Sequence, residues 1–546
     1  MMDATDADEG LPACSRDALG PPRGGAVAYD ERAICHSTEA LRNELLLHEA
    51  VIKDDPDAVR KVLKEPLDVN SRNNYGRAPI HWAACRGNIE IMEMLIAAKC
   101  DIEVRDKYCM RPLMMAAWHG HKDAVEMLIN CGANVAAVNK KQYSLLTCAA
   151  RNDRADVVGF LLDTLENLQV DASDAERQTA LYHAALGGHL RVLARLVDAG
   201  AAVDCPNKAG RTPLHAACER GHVDAADYLL QKGADSGARD EQGDTPLHVA
   251  ALNQQTELVA LLLQAGARPD PHNEKGFTPL HFASSLGCRG IIESLLQYGS
   301  CINSKSKNGS TPLHLACQAE KTDTVELLIA KGSSLNEVNA RMQCPIHIAA
   351  EQGYTEICKM LLAAGADIAQ KEQSGKTPLY IAARGSFTAI VDMIIKTARL
   401  DYPQPEEELC DAAGAAGVRR CRYVEDAVTP DTNVRLRQLL WRLAYKHLAD
   451  GEWKRLAHHW AFTDEQIHAI EHQYTGPSSY KEHGFRMLLI WANGLKPEVN
   501  PIKELCESLA AIGKKNVADA FRKKLDTENE QYFQSEKSKC WRCALF

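Results

Sequence analysis

Several groups of residues in this chain have the types and spacing of known chemistry. Gly375-Lys376-Thr377 reads like the end of a phosphate-binding loop, where backbone N–H groups and a lysine cradle phosphate oxygens. That motif needs a glycine five residues earlier, and position 370 is Gln370, so the reading fails. His215, His248, His281, His314 and His347 recur every 33 residues and look like a column of imidazole ligands. With one on each packed helix, neighbours fall about 10 Å apart. One metal ion with bonds of about 2 Å cannot bridge that gap. These histidines are expected to be hydrogen-bonding residues of the repeat turns, with no metal. Cys540-Trp541-Arg542-Cys543 is a lone Cys-x-x-Cys in a polar tail, without a second pair or a strand–helix context. The last four residues, Cys543-Ala544-Leu545-Phe546, read as a prenylation box whose terminal Phe selects a geranylgeranyl group. One lipid chain anchors only marginally. Cys540 is the candidate for a second acylation, with Lys537, Lys539 and Arg542 adding attraction to anionic lipid. The competing reading is a cysteine four from the end by accident. No Ser/His/Asp or Cys/His arrangement stands out, so neither an enzyme nor a cofactor is expected.

A fixed beat positions most of these residues. Pro213, Pro246, Pro279, Pro312, Pro345 and Pro378 lie 33 residues apart, and the beat continues upstream to Pro79, Pro112, Leu145 and, after a 35-residue step, Ala180. Four residues after every beat stands an alanine, from Ala83 and Ala116 to Ala349 and Ala382. Such a period means stacked repeats, each burying too little alone to be stable. Within one repeat, Thr212 precedes a helix and Pro213 suits its first turn, where the missing N–H costs nothing. Leu214, Ala217 and Cys218 turn inward, Gly221 fits a turn at positive φ, and Leu229 and Leu230 supply the face of a second helix. Gly233 ends that helix, and a turn at 240–243 opens the next repeat.

Composition bounds the rest. A net charge of −10 argues against general nucleic-acid binding. Nineteen cysteines follow an acidic start without an apolar signal core, so free thiols in a reducing cytosol are expected. Cys218 and Cys317 fill a packing slot that elsewhere holds alanine. Residues 1–42, with Gly20-Pro21-Pro22-Arg23-Gly24-Gly25, read as a disordered leader. Residues 405–433, with Pro405, Glu406, Glu407, Glu408, Gly414 and Gly417, read as a linker.

Thr-Pro-Leu-His at 212–215, 245–248, 278–281 and 311–314, followed by Leu-Leu-x-x-Gly-Ala-Asp, resembles the ankyrin repeat. The resemblance covers about eleven units over 43–404, the first and last as caps. Departures cluster in the fourth unit, where Leu145 replaces the proline, Asp153 replaces a glycine and residues 165–169 interrupt the second turn. A local bend or weaker joint is expected there. In ankyrin geometry, positions two to five before each beat and six and seven after it face a concave groove. Tyr75, Arg77, Arg86, Tyr108, Trp118, His119, Tyr143 and Arg151 fall there, and aromatic and Arg side chains are the usual hot-spot types. Later equivalents are plainer: Glu219, Gln242, Asn253, Ser285, Gln318 and Glu351. A protein partner is therefore expected on the first third of the array. The resemblance also implies asparaginyl hydroxylation, with Asn70, Asn303 and Asn336 at the matching turn position.

From residue 434 the pattern changes to short capped helices. Thr463-Asp464-Glu465-Gln466 is a capping box and Asn500-Pro501 an N-cap followed by proline. Six helices over 434–527, with Trp453-Lys454-Arg455-Leu456-Ala457 and Met487 to Trp491, resemble a death domain, in which Trp453 and Trp491 are core. Residues 435–525 hold 15 Lys/Arg against 10 Asp/Glu, leaving this segment about +5 in an acidic chain. Death domains assemble through opposed charged patches. Lys514, Lys515, Arg522, Lys523 and Lys524 are the candidate surface, against the plainer reading of a solvated helix face. Array, linker and death domain in this order, with the segment 469–491, resemble the ankyrin repeat and death domain-containing protein 1 family. Kinase, Rel-homology and spectrin-binding regions have no room here. Residues 528–546 form the tail. The whole reads as an all-α, ankyrin-repeat solenoid followed by a six-helix death-domain bundle. The expected function is a cytoplasmic, non-enzymatic signalling adaptor. The array would capture a protein, the death domain would recruit a death-fold partner, and the C-terminus would add peripheral membrane association. The alternative is a structural or membrane-associated scaffold whose death domain only packs or dimerises.

Overall fold

A computed structural model of the chain describes residues 31–165, 168–401, 430–472, 479–493, 495 and 501–522. Every regular element among the described residues is a helix. The chain divides into two compact units, residues 1–149 and 150–546, and the division falls inside the helix Leu145–Arg151 of the divergent fourth repeat.

In the second unit the repeat pattern builds one motif several times over. Thr212 is extended (φ −87°, ψ 168°), Pro213 opens the helix Pro213–Arg220, and Gly221 closes it at φ +82°. A side chain at Gly221 would also meet Gln255 of the following repeat at 2.8 Å. The second helix, Val223–Gln231, buries Ala225, Ala226 and Leu229. The chain then turns through Asp240, whose Oδ1 accepts the N–H groups of Gln242 and Asp244, each at 2.9 Å. That turn pairs with its neighbours through backbone bonds such as Glu241 N–H to Ala209 O (2.9 Å) and Glu274 N–H to Gln242 O (2.9 Å). Like helices of successive repeats pack side by side. Ala217, Ala250, Ala283 and Ala316 are fully buried at the beat-plus-four slot, where a small side chain lets two helices approach. Burial holds the thiols of Cys218 and Cys317 well above their ordinary range, as packing residues require.

The first unit repeats the motif with Pro79–Arg86, Ile89–Ala97, Pro112–His119 and Lys122–Asn130. Its leading helix, Glu31–Lys53, begins inside the stretch expected to be a disordered leader. The expectation ended that leader at residue 42. The Gly/Pro run stops at Gly25, and from Glu31 onward helix-favouring Glu, Ala, Leu and Arg dominate, so helical propensity carries the turn upstream.

At the C-terminal end, helices Pro430–Lys446, Glu452–His459, Asp464–Glu471, Ser479–Asn493 and Pro501–Ala511 form a bundle, and residues 515–522 are also helical. Helix begins at Pro430, within the expected linker, because proline suits a first turn. The capping box is present: Thr463 N–H donates to Gln466 Oε1 (3.1 Å) and Gln466 N–H to Thr463 Oγ1 (3.3 Å). Trp453 and Trp491 are each 1% exposed. Trp460 stacks on Trp491 at 4.2 Å and donates its indole N–H to Ser508 Oγ at 2.8 Å.

Candidate functional site

The recurrent histidines are structural ties. His215 Nδ1 accepts the Thr212 N–H (3.1 Å), while Nε2 reaches Asp244 O, 29 residues on, at 3.1 Å. His248, His281 and His314 repeat this, ending on Phe277 O (2.9 Å), Ser310 O (3.0 Å) and Gln343 O (2.9 Å). Each imidazole therefore caps its own helix and reaches into the next turn. This arrangement needs the neutral ring with its proton on Nε2. Burial supplies that state, pushing His215, His248 and His281 down to about 4. Among the described residues no group of three or more His, Cys, Asp or Glu is arranged to hold a metal ion.

Two residues of the groove reading need correction. The carbonyl that accepts from each histidine belongs to the residue two before the next beat, so that residue sits at the joint between repeats. Arg77 and Tyr143 share this register without a histidine bond, their carbonyls accepting from Asn73 N–H (3.0 Å) and Asn139 N–H (3.2 Å), and they are buried, at 2% and 8% exposure. Arg77 pairs with the buried Asp106 (Nε to Oδ2, 3.3 Å) and lies over the Trp82 ring at 5.1 Å. Both side chains are buried rather than exposed on a groove.

The other first-unit candidates differ. Tyr75 and Tyr108, four before their beats, stand on turn tips with 45% and 43% of their surface exposed. Arg86 is exposed and donates to Ile52 O (3.1 Å). Trp118 and His119, at the end of Pro112–His119, are half-buried, and the His119 ring stacks with that of His121. In the second unit Arg151 is half-buried, 3.4 Å from His183 Nδ1. The plainer equivalents there, Gln242, Asn253, Gln318 and Glu351, are exposed.

The three asparagines also share a geometry. Asn70, Asn303 and Asn336 accept from the backbone N–H of Asp101 (2.7 Å), Ser334 (2.9 Å) and Asp367 (2.8 Å), each 31 residues on. Asp171, Asp204 and Asp270 do the same for their own neighbours. The slot is an acceptor position that Asn and Asp both fill.

In the C-terminal bundle Lys515 and Arg522 are exposed, whereas Lys514 is paired with Glu452 at 2.8 Å. Lys523, Lys524, Cys540 and Cys543 lie outside the described residues. Sequence reasoning missed the contact of the bundle with the last repeat. Arg486 donates from Nε to Asp392 Oδ1 (3.0 Å), and from Nη2 to Asp392 Oδ2 (2.8 Å) and Thr388 O (2.7 Å). Thr377 donates its hydroxyl to the Glu465 carboxylate. The first of these is a bidentate, charge-assisted pair. Burial raises the Asp392 carboxyl above its ordinary range, and Arg486 opposes that shift.

No helix among the described residues is long and apolar enough to cross a membrane. A family model described as ankyrin repeats (3 copies) matches residues 47–139, 112–174, 145–240, 233–306, 301–372 and 336–404. A death-domain model matches 437–525. Among solved structures, the crystal structure of the human ASB11 ankyrin repeat domain is similar at 30% identity. It covers 41% of this chain and 98% of that one, with a TM-score of 0.37. The chain belongs to the ankyrin-repeat family, and its architecture is an ankyrin array followed by a C-terminal death domain, both of them non-catalytic protein–protein interaction modules.

Proposed function

We propose that the chain is a non-enzymatic, cytoplasmic adaptor in signal transduction, with the array capturing one protein and the death domain recruiting a death-fold partner. The observation that carries this reading is the pairing of two interaction modules in one chain. The partner site on the array is assigned to Tyr75, Arg86, Tyr108, Trp118 and His119 of the first unit, with Arg151 of the second unit a separate candidate. Its support is the exposed aromatic surface at Tyr75 and Tyr108, a side-chain type that concentrates binding energy. The charged site on the death domain is assigned to Lys515 and Arg522, with Lys514, Lys523 and Lys524 completing it. The test uses the full chain as bait, washed at low and high salt, with bound proteins identified by mass spectrometry. The reading expects death-fold proteins that are lost at high salt and in Lys515→Glu/Arg522→Glu. It also expects a second set that is lost only in Tyr108→Ala/Trp118→Ala. One set alone contradicts the adaptor.

Two modifications belong to the same proposal. Geranylgeranylation of Cys543, with Cys540 acylated, would place the adaptor at a membrane, and unchanged membrane fractionation of Cys543→Ser excludes it. Hydroxylation of Asn70, Asn303 or Asn336 would add one oxygen to the corresponding peptide, and intact-peptide masses without it exclude it. The second reading is a scaffold whose death domain only packs or dimerises. It draws on the contact of Arg486 with Asp392, in which the death domain packs on its own chain.

A further inference from the structure

A solenoid must end on a repeat whose outer side has no following repeat to cover it. Here the last repeat, with helices Pro378–Arg384 and Thr388–Asp401, departs from the motif at the place where the histidine tie would form. Thr212, Thr245, Thr278 and Thr311 each place the hydroxyl 2.8–3.0 Å from the histidine three residues on. Thr377 keeps the N-cap, and its Oγ1 accepts the Tyr380 N–H at 3.3 Å, but Tyr380 has replaced the histidine. The hydroxyl donates to Glu465 of the death domain. On the next helix, Ile390, Val391, Ile394 and Ile395 are buried. Thr388 and Asp392 of that helix take the Arg486 guanidinium. Arg486 is 11% exposed and Asp392 is 41% exposed, so the pair lies at an edge that water reaches from one side.

Ion pairs also join repeats inside the array, at Arg77–Asp106 and Arg211–Asp240, but there the carboxylate is 0% and 2% exposed, against 41% for Asp392. Interior joints also bury aliphatic side chains and neutral imidazoles. The named bonds at the terminal joint are an ion pair, a hydroxyl–carboxylate bond and an Arg–carbonyl bond. A charged joint that solvent reaches is weakened by salt and by any competing carboxylate.

We propose that the death domain docks on the last ankyrin repeat of its own chain as a releasable polar latch, with Arg486 as the bolt and Asp392 and Thr388 O as its keeper. In the latched chain the helices Asp464–Glu471 and Ser479–Asn493 are committed to the array. A partner presenting a carboxylate to Arg486 competes with Asp392, so recruitment to that face requires opening. This regulatory consequence rests on the adaptor reading; the latch itself does not.

The test is small-angle X-ray scattering of the full chain, which reads its dimensions without a partner. Arg486→Asp and Asp392→Arg each place like charges across the joint and should raise the radius of gyration and maximum dimension. The charge exchange Arg486→Asp/Asp392→Arg should restore the wild-type curve. Asp392→Arg lies outside the death domain, so opening in that variant is not a folding defect of the bundle. Wild-type chain in about 1 M salt, where the screening length is about 3 Å, should also expand. Wild-type curves from both single variants overturn the latch. Expanded curves that the double exchange fails to restore overturn Arg486–Asp392 as its basis.

Discussion

The joints between Thr-Pro-Leu-His repeats and the joint between the last repeat and the death domain join the same kinds of elements, helix against helix, but differ in how far water reaches their carboxylates, 2% exposed at Asp240 and 41% at Asp392. Within the array, the hydrogen bonds of His215, His248, His281 and His314 are buried at each crossing, beside fully buried alanines and leucines. At the end of the array, the Asp392 carboxylate that pairs with Arg486 is open to water on one side. Buried apolar contacts and neutral hydrogen bonds are insensitive to salt, whereas exposed ion pairs are screened by it. On the proposed reading, the repeats between Pro213 and Gln352 stay fixed while the death domain releases.

The largest expected effect concerns the array. His215, His248 and His281 are held down to about 4 when folded, against an unfolded value near 6.5. With folded values below unfolded ones, the unfolded chain binds more protons between these limits. Stability is then complete above about pH 6.5 and falls as pH drops toward 4. Each histidine contributes about 1.4 kcal/mol per pH unit in that window, so the three together contribute about 4. Asp244, whose carboxyl burial raises, opposes this at one turn. Urea midpoints at stepped pH measure the slope, and a flat profile from pH 6.5 to 4.5 would break the comparison.

A smaller effect is expected from one tie alone. His248→Ala leaves the Thr245 N–H without its partner, removes one of the two donors to the Phe277 carbonyl and empties a buried ring site. It should cost about 2–4 kcal/mol in urea unfolding. Arg486→Ala, at the polar joint, should leave the array's unfolding midpoint unchanged. Similar losses in both variants would erase the distinction.

On the capture surface, Tyr108→Ala or Trp118→Ala should weaken binding of the array's partner by about 2 kcal/mol, near 30-fold. Titration by calorimetry reads this, with Tyr143→Ala expected to lower stability instead. The smallest effect is conformational. Gln254 and Glu320 stand at φ 61° and 56°, where Gly221 and Gly287 stand in neighbouring repeats. Gln254→Gly should stabilise the array by about 1 kcal/mol, seen as a rise in melting temperature.

Much of this was legible in the sequence because it is local. Thr212, Pro213 and Gly221 specify a cap, a first turn and a stop within ten residues, and Thr463 and Gln466 specify another. The histidines were read as turn residues from their spacing alone. Arg77 and Tyr143 are not legible as buried because groove-facing and joint-facing positions lie two residues apart, as with exposed Tyr75 and buried Arg77. Their residue types suit an interface equally well in either place. The start at Glu31 was missed because helix propensity, rather than the repeat, extends the first helix. Arg486 was invisible as a docking residue because it is one of 15 basic residues in its segment, and Asp392 lies 94 positions away.

Hydrogen exchange on the full chain at low and high salt tests the contrast most directly. The account predicts that high salt removes protection from 388–398 and 479–493 while the helices between Pro213 and Gln352 keep theirs. Equal protection of all these segments at both salt concentrations, or parallel loss from array and joint, would contradict it.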